Sequence, residues 1–293
     1  MKKHQARGKG ICLAMAVTAL AVFGFVPSAS AHTGGYAKFN FCPSTNPSVR
    51  KCMQAVTNGG KVVLGKKTVP IVNPVTVQGG LSKPIEFIST FFAATNGESL
   101  SKTPQPVPGG LAGLVNCKEI SNFLLRISCE AVFENGLTGV NATLELARPA
   151  SEIRVSELNL VGEEEVALKM PVKVHLENPF LGSGCYVGSS GSPIIWNLTS
   201  GATNPPPPNK SIHGFSGLGE FEEEEIFKLN GAELVDNAWS APGASGCGGP
   251  IVELLLDPII NASVGVPAAA GLNTAQLQKT NIALALAETV NEH

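Results

Sequence analysis

Between Leu125 and Phe133 apolar and polar residues alternate, with Leu125, Ile127, Cys129, Ala131 and Phe133 on one side and Arg126, Ser128 and Glu130 on the other. A period of two is that of a strand with one buried face and one wet face. After the turn residues Asn135 to Gly139 the pattern resumes, Val140, Ala142, Leu144 and Leu146 against Asn141, Thr143 and Glu145, so the two runs predict a β-hairpin. Strand-like runs recur at Lys61–Leu64, Thr68–Gln78, Ile85–Ala93, Glu152–Leu160, Pro171–Leu176, Pro193–Thr199, Glu225–Val235 and Ile251–Leu256, punctuated by Gly and Pro. That spacing predicts a mainly β fold, an antiparallel β-sandwich or barrel rather than alternating βαβ units. Helix is expected only as a short segment near the C-terminus. There Asp257-Pro258 has the form of an N-cap followed by a proline at the first helical position, while Thr274–Val290 is rich in Ala and Leu and fits either helix or strand.

The apolar run from Ile11 to Val26 belongs to a different pattern. Lys2, Lys3, Arg7 and Lys9 precede it, and Pro27 and the small residues Ser28 to Ala31 follow it. This is the three-part build of a secretory signal with an A-x-A cleavage site, and the run is short of the ~20 residues that a spanning helix needs. The expected organisation is a signal peptide over 1–31 and a single disulfide-bonded β domain over 32–293, secreted or associated with the cell wall, with no integral membrane segment after cleavage. Loss of residues 1–31 removes four basic and no acidic residues, leaving seventeen basic against twenty-three acidic, a formal charge of −6. A mildly acidic surface gives no electrostatic reason to bind nucleic acid.

Cleavage also leaves an even set of six cysteines: Cys42, Cys52, Cys117, Cys129, Cys185 and Cys247. In an exported chain these read as three disulfides, with the pairing open. Loop closure is easiest between near neighbours, which favours Cys42–Cys52 and Cys117–Cys129 and leaves Cys185–Cys247. No C-x-x-C occurs and no His stands near a cysteine pair, so no metal site is expected.

The stretches TVPIVNPVTVQGG (68–80), PGGLAGLVNC (108–117), LENPFLGSGCYVGSSGSPI (176–194) and DPIINASVGVPAAAGLNTA (257–275) resemble those of uncharacterised secreted proteins of high-GC Gram-positive bacteria. The resemblance implies an exported, cysteine-bonded single domain and carries no catalytic residue with it.

Catalytic chemistry finds few footholds. Ser189 and Ser190, and Ser245 between Gly243 and Cys247, sit in Gly/Ser-rich stretches, but neither stretch completes G-x-S-x-G. Of the histidines after residue 31, His32 and His293 are terminal, and only His175 and His213 could serve such a serine as a base. The acidic runs at Glu163–Glu165 and at Glu220 with Glu222–Glu225 are plain Glu runs without the interspersed Asp, Asn and Gly of a calcium loop, and read as solvated charge. Phosphate-loop and dinucleotide fingerprints are absent, and no cofactor is expected. The expected function is therefore that of a non-enzymatic exported β domain that binds a cell-envelope component or another protein. The alternatives are a secreted serine hydrolase and a barrel holding an apolar ligand. The best binding candidate is aromatic: a Cys185–Cys247 bridge would draw two Gly/Ser-rich loops together and place Tyr186, Trp196 and Trp239 on or beside one surface. The rival reading buries both tryptophans beside a structural disulfide.

The secreted product should begin at His32. Its intact mass checks this, and a product that keeps residues 1–31 would contradict the cleavage.

Overall fold

The computed structural model describes residues 32–110, 121–123, 126–127, 139–222 and 225–293. Residues His32 to His293 form one compact unit. In chain order its strands are β1 (Lys51–Leu64), β2 (Lys67–Pro70), β3 (Val75–Leu81), β4 (Ser89–Ala93), β5 (Pro104–Pro106), β6 (Asn141–Leu146) and β7 (Arg154–Val155). They continue with β8 (Leu168–Glu177), β9 (Tyr186–Val187), β10 (Ile194–Leu198), β11 (Leu218–Glu222), β12 (Ile226–Asp236), β13 (Ala244–Ser245) and β14 (Thr274–Leu286). The α-helices α1 (Glu157–Gly162), α2 (Glu253–Val264) and α3 (Ala287–Glu292) lie between or after them. All described pairings between these strands are antiparallel, and the fold is mainly β, as the alternation predicts.

Two long strands organise the sheet. β1 pairs along nearly its whole length with β14, from Lys51 against Leu286 to Val63 against Thr274. Its other edge is shared, with Lys51–Thr57 bonded to β3 and Lys61–Leu64 bonded to β2. The change of partner falls at Gly60, whose φ of +108° suits glycine and where a Cβ would lie 2.0 Å from the Gln276 carbonyl oxygen. β8 is the second hub, with β7 and β6 along one edge and β10 and β9 along the other. Its inward residues Leu168, Met170, Val172, Val174 and Leu176 are buried, while Lys169, Lys173, His175 and Glu177 point the other way.

The two arms meet at β4, a corner strand whose Phe91–Ala93 end pairs with β3 and whose Ser89–Thr90 end pairs with β7. The path then runs β11-β12-β14-β1-β3-β4-β7-β8-β6-β5, and no ladder joins β5 back to β11 among the described residues, so the sheet folds over on itself without closing. The main core fills the space between the arms. A second, smaller core lies on the opposite face of β1 and β14, where Tyr36, Phe39, Cys42 and Val290 cover Cys52, Ala283 and Ala285.

Several expectations are corrected. Arg126 and Ile127 are helical, with the Arg126 N–H donating to Asn122 O at 2.8 Å, and the rest of 125–133 lies outside the described residues except at these two positions. Both edges of β6 are taken, one by β5 and one by β8, so the predicted hairpin has no free edge to form on. Glu152–Leu160 is not one strand: after β7, Ser156 accepts a hydrogen bond from Asn159 N at 3.2 Å and caps α1. Ile251–Leu256 is not a strand either, because α2 begins at Glu253 and carries Pro258 inside it. Asp257 does not cap α2. Its carboxylate accepts from the backbone N–H groups of Gly246 (3.1 Å) and Cys247 (2.8 Å) and so fastens the bridge loop to the helix. Thr274–Val290 resolves into β14 followed by α3.

Two of the expected bridges are present, Cys42–Cys52 and Cys185–Cys247, with Cα separations of 5.6 and 4.1 Å. Cys117 and Cys129 lie outside the described residues. Disulfides of this kind belong to proteins of oxidising compartments. Among the described residues no helix is long and apolar enough to cross a membrane.

Loop-closure entropy orders the two bridges. Replacing Cys185 and Cys247 together by serine should cost about 4 kcal/mol, against about 3 kcal/mol for the Cys42/Cys52 pair, because they close loops of 62 and 10 residues. Denaturant unfolding of the two double variants measures the difference, and the reverse order would contradict it.

Candidate functional site

The Cys185–Cys247 bridge does bring the two glycine-rich loops together, since β9 pairs with β13 through Val187–Ala244 and Tyr186–Ser245. The three aromatic side chains nevertheless do not share a surface. Trp196 on β10 is 1% exposed and Trp239 is 4% exposed, with ring centroids 6.1 Å apart at 59°. The Trp239 indole donates to Asp236 O at 3.2 Å, whereas the Trp196 indole N–H is buried without a protein acceptor. Asp236 also ties β12 to β10, its carboxylate accepting from Asn197 N at 2.6 Å and Ala238 N at 2.9 Å. Burial holds the Asp236 carboxyl above the usual range in spite of those two donors.

Tyr186 faces outward instead. Its ring stacks on His175 at 4.3 Å, and Lys173 Nζ stands 3.8 Å from the ring centroid. Glu145 and Glu177 flank the same imidazole, 3.6 and 3.3 Å from Nδ1. The hydroxyl candidates Ser189, Ser190 and Ser245 line a shallow cleft beside Tyr186 and Lys173. Ser189 Oγ accepts from Ser192 N at 3.1 Å and closes a turn. His213 is exposed and its Nδ1 lies 2.8 Å from Gly214 O. Among the described residues no hydrogen bond joins any of these serines to His175 or His213.

The acidic runs engage in structural contacts. Glu163 follows α1 in the left-handed region, and its carboxylate accepts from Ser216 N at 2.7 Å, the bond that chiefly lowers its pKa. Glu222 pairs with Lys38 and lies 3.4 Å from Lys228, and the Lys38 bond chiefly lowers its pKa. Among the described residues no group of three or more His, Cys, Asp or Glu is arranged to hold a metal ion.

What stands out is the interior. Between the two arms lies a cavity of about 90 Å³. One water needs roughly 10–15 Å³, so the space is several waters in size. One wall comes from the inner faces of β1, β2, β3 and β14, the other from β6, β8 and β10, with Trp196 among the lining residues. Ala55, Thr57, Val62 and Leu64 of β1 all reach the lining, so the cavity extends along this strand.

The Trp196 indole N–H of its wall is unpartnered, whereas Thr57, Thr103, Gln105 and Thr280 bond to other side chains or to the backbone. Thr57 and Thr280 share a hydrogen bond of 3.0 Å, and Thr103 and Ser101 another of 2.9 Å. The amide of Gln105 makes four bonds to backbone groups. Lys67 is the one charged residue of the lining. Water would find few partners here, and apolar cavities of this kind stay dry or take apolar ligands. No sequence signal marks such a space, because cavity-lining and core positions carry the same Val, Leu and Ala. The half-buried members of the lining, Val62, Lys67, Val69, Val75, Thr103 and Leu144, come from the side where β2 faces β5 and mark the mouth.

Comparison with family models, with curated proteins and with solved structures finds no match to this chain.

The burial of Trp196 and Trp239 predicts a blue-shifted emission that acrylamide barely quenches. Emission at the solvent-exposed wavelength with full quenching would contradict their place in the core.

Proposed function

We propose that this protein is an exported, non-enzymatic binding protein that holds an apolar ligand between the two arms of its sheet. The observation that carries the reading is the cavity whose lining is almost wholly apolar, with Thr57, Thr280 and Gln105 engaged within the protein and the Trp196 indole N–H the one buried polar group of the described lining without a partner. An unfilled apolar void of 90 Å³ costs roughly 2 kcal/mol in lost packing. An apolar guest would recover that packing and leave water at the same time, so burial itself supplies the affinity. The two disulfides and the basic, apolar, small-residue pattern of 1–31 support export. Outside the cytoplasm, the hydrocarbon of envelope lipids is a ready source of such ligands. The outward groups Tyr186, His175 and Lys173 would then contribute to contacts with an envelope component rather than to the ligand site.

Ala142 and Ala55 line the cavity with the smallest side chains available, which makes them the places to fill it. Ala142→Leu and Ala55→Leu should weaken binding of a fatty-acid probe such as cis-parinaric acid at least tenfold while leaving Tm unchanged or raised. Titration followed by energy transfer from tryptophan, together with thermal melts, reads both. Wild-type protein that neither binds the probe nor yields lipid on solvent extraction from the producing cell's medium would overturn the proposal. Labelling of Ser189, Ser190 or Ser245 by a serine-hydrolase reagent would favour the hydrolase instead.

A further inference from the structure

The mouth of the cavity is also the place where the sheet fails to close, and the way it is held shut is unusual. β5 reads Pro104-Gln105-Pro106. Val107 N donates to Val140 O at 2.8 Å, toward β6, and backbone nitrogens alternate along a strand. Gln105 N therefore faces β6 as well, and the nitrogens that face away are those of Pro104 and Pro106, which carry no hydrogen. The free edge of β5 can accept but cannot donate, so no β-ladder can form across it.

Opposite this edge runs the connection from β2 to β3, residues 71–74. Its backbone groups bond to a side chain. Gln105, only 6% exposed, accepts through Oε1 from Val72 N at 2.9 Å and Asn73 N at 3.0 Å, and donates through Nε2 to Asn73 O at 2.9 Å. Asn73 Nδ2 donates in return to Pro104 O at 2.7 Å. Two amide side chains thus hold the stretch of the seam between β5 and residues 72–73, beyond which Thr76 and Ser101 bond directly, Ser101 N donating to Thr76 O at 2.8 Å. Gln105 lines the cavity on the inner side of that seam.

We infer that the ligand is a single unbranched hydrocarbon chain that enters between β5 and the β2–β3 connection, with Gln105 as the latch of that entrance. The inference rests on the ligand-binding function proposed above. The chain shape follows from a cavity of only about 90 Å³ whose lining is nonetheless spread along β1 from Ala55 to Leu64, a space that suits a slender chain better than a fused-ring skeleton. The latch follows from the convergence of three cross-seam hydrogen bonds on one removable side chain, which lets the seam part without unpairing any strand.

The test is stopped-flow exchange of cis-parinaric acid into and out of the full mature chain, with dehydroergosterol as a fused-ring comparison. Gln105→Ala should raise both the association and the dissociation rate at least fivefold, so that Kd changes less than either rate. Asn73→Ala, which removes the reciprocal bond, should act in the same direction and serves if the first variant fails to fold. Ser44→Ala, which loses a hydrogen bond to Asn291 far along the chain from the seam, controls for simple loss of stability and should leave both rates as they were. Wild-type exchange rates in both seam variants would overturn the latch, as would faster dissociation alone with association unchanged. Dehydroergosterol bound as tightly as the fatty acid would overturn the single-chain assignment. Failure of the wild-type protein to bind the fatty acid at all would remove the ligand-binding reading and this inference with it.

Discussion

The ladder between β1 and β14 is the constraint on which the rest of the molecule hangs. It joins the first long strand to the last, Lys51 to Leu286 at one end and Val63 to Thr274 at the other, so almost the whole chain is the loop that this pairing closes. Loop-closure entropy grows only slowly with length, but it must be met before any of these contacts repays it. Once formed, the ladder presents both of its faces for use. The inner face meets β8 across the main core, and the outer face takes the 3-10 helix at Gly34–Phe39 and α3, tied down by the Cys42–Cys52 bridge.

That double use explains what the sequence did and did not disclose. β8, β10 and β12 were legible because one face of each is buried and the other is wet or half-wet, so alternation survives. β1 was legible only at Lys61–Leu64. At its other end Cys52 and Met53 are buried one after the other, on opposite faces, and the period of two disappears. Ile251–Leu256 misled for the opposite reason: a contiguous apolar run suits a buried strand, yet Ile251 and Leu254 stand 90% and 81% exposed beside and on a helix. The capping role expected of Asp257 failed because its carboxylate has better partners in the bridge loop, two backbone N–H groups left over by the turn at Gly246 and Cys247. Spacing favoured Cys42–Cys52, since near neighbours close loops most easily, and left Cys185–Cys247 over, but it could not by itself select the pairing.

The candidate site was less legible than the fold, and the tryptophans show why. Their proximity could be anticipated from the Cys185–Cys247 bridge, and they do meet at 6.1 Å. Their direction could not, because it depends on which face of β10 turns inward. Ile194, Trp196 and Leu198 share that face, and its burial makes Trp196 part of the cavity wall instead of a surface platform. A void is a property of how side chains from distant strands fall short of one another, and no local pattern encodes it.

A closed barrel keeps its interior behind backbone ladders on every side, and opening it means breaking several hydrogen bonds at once. Here, among the described residues, the path of strands ends at β5, whose prolines remove the donors that a further strand would need. The same prolines protect the edge from pairing with another molecule, a hazard that any open sheet carries. Gln105 bonds from its side chain to Val72 N, Asn73 N and Asn73 O, so these backbone groups of the seam are satisfied while the seam remains separable. Stability alone would favour a filled interior and a paired edge at β5. An apolar cavity retained beside an edge that cannot zip is the combination expected where the inside of the sheet has to be reached.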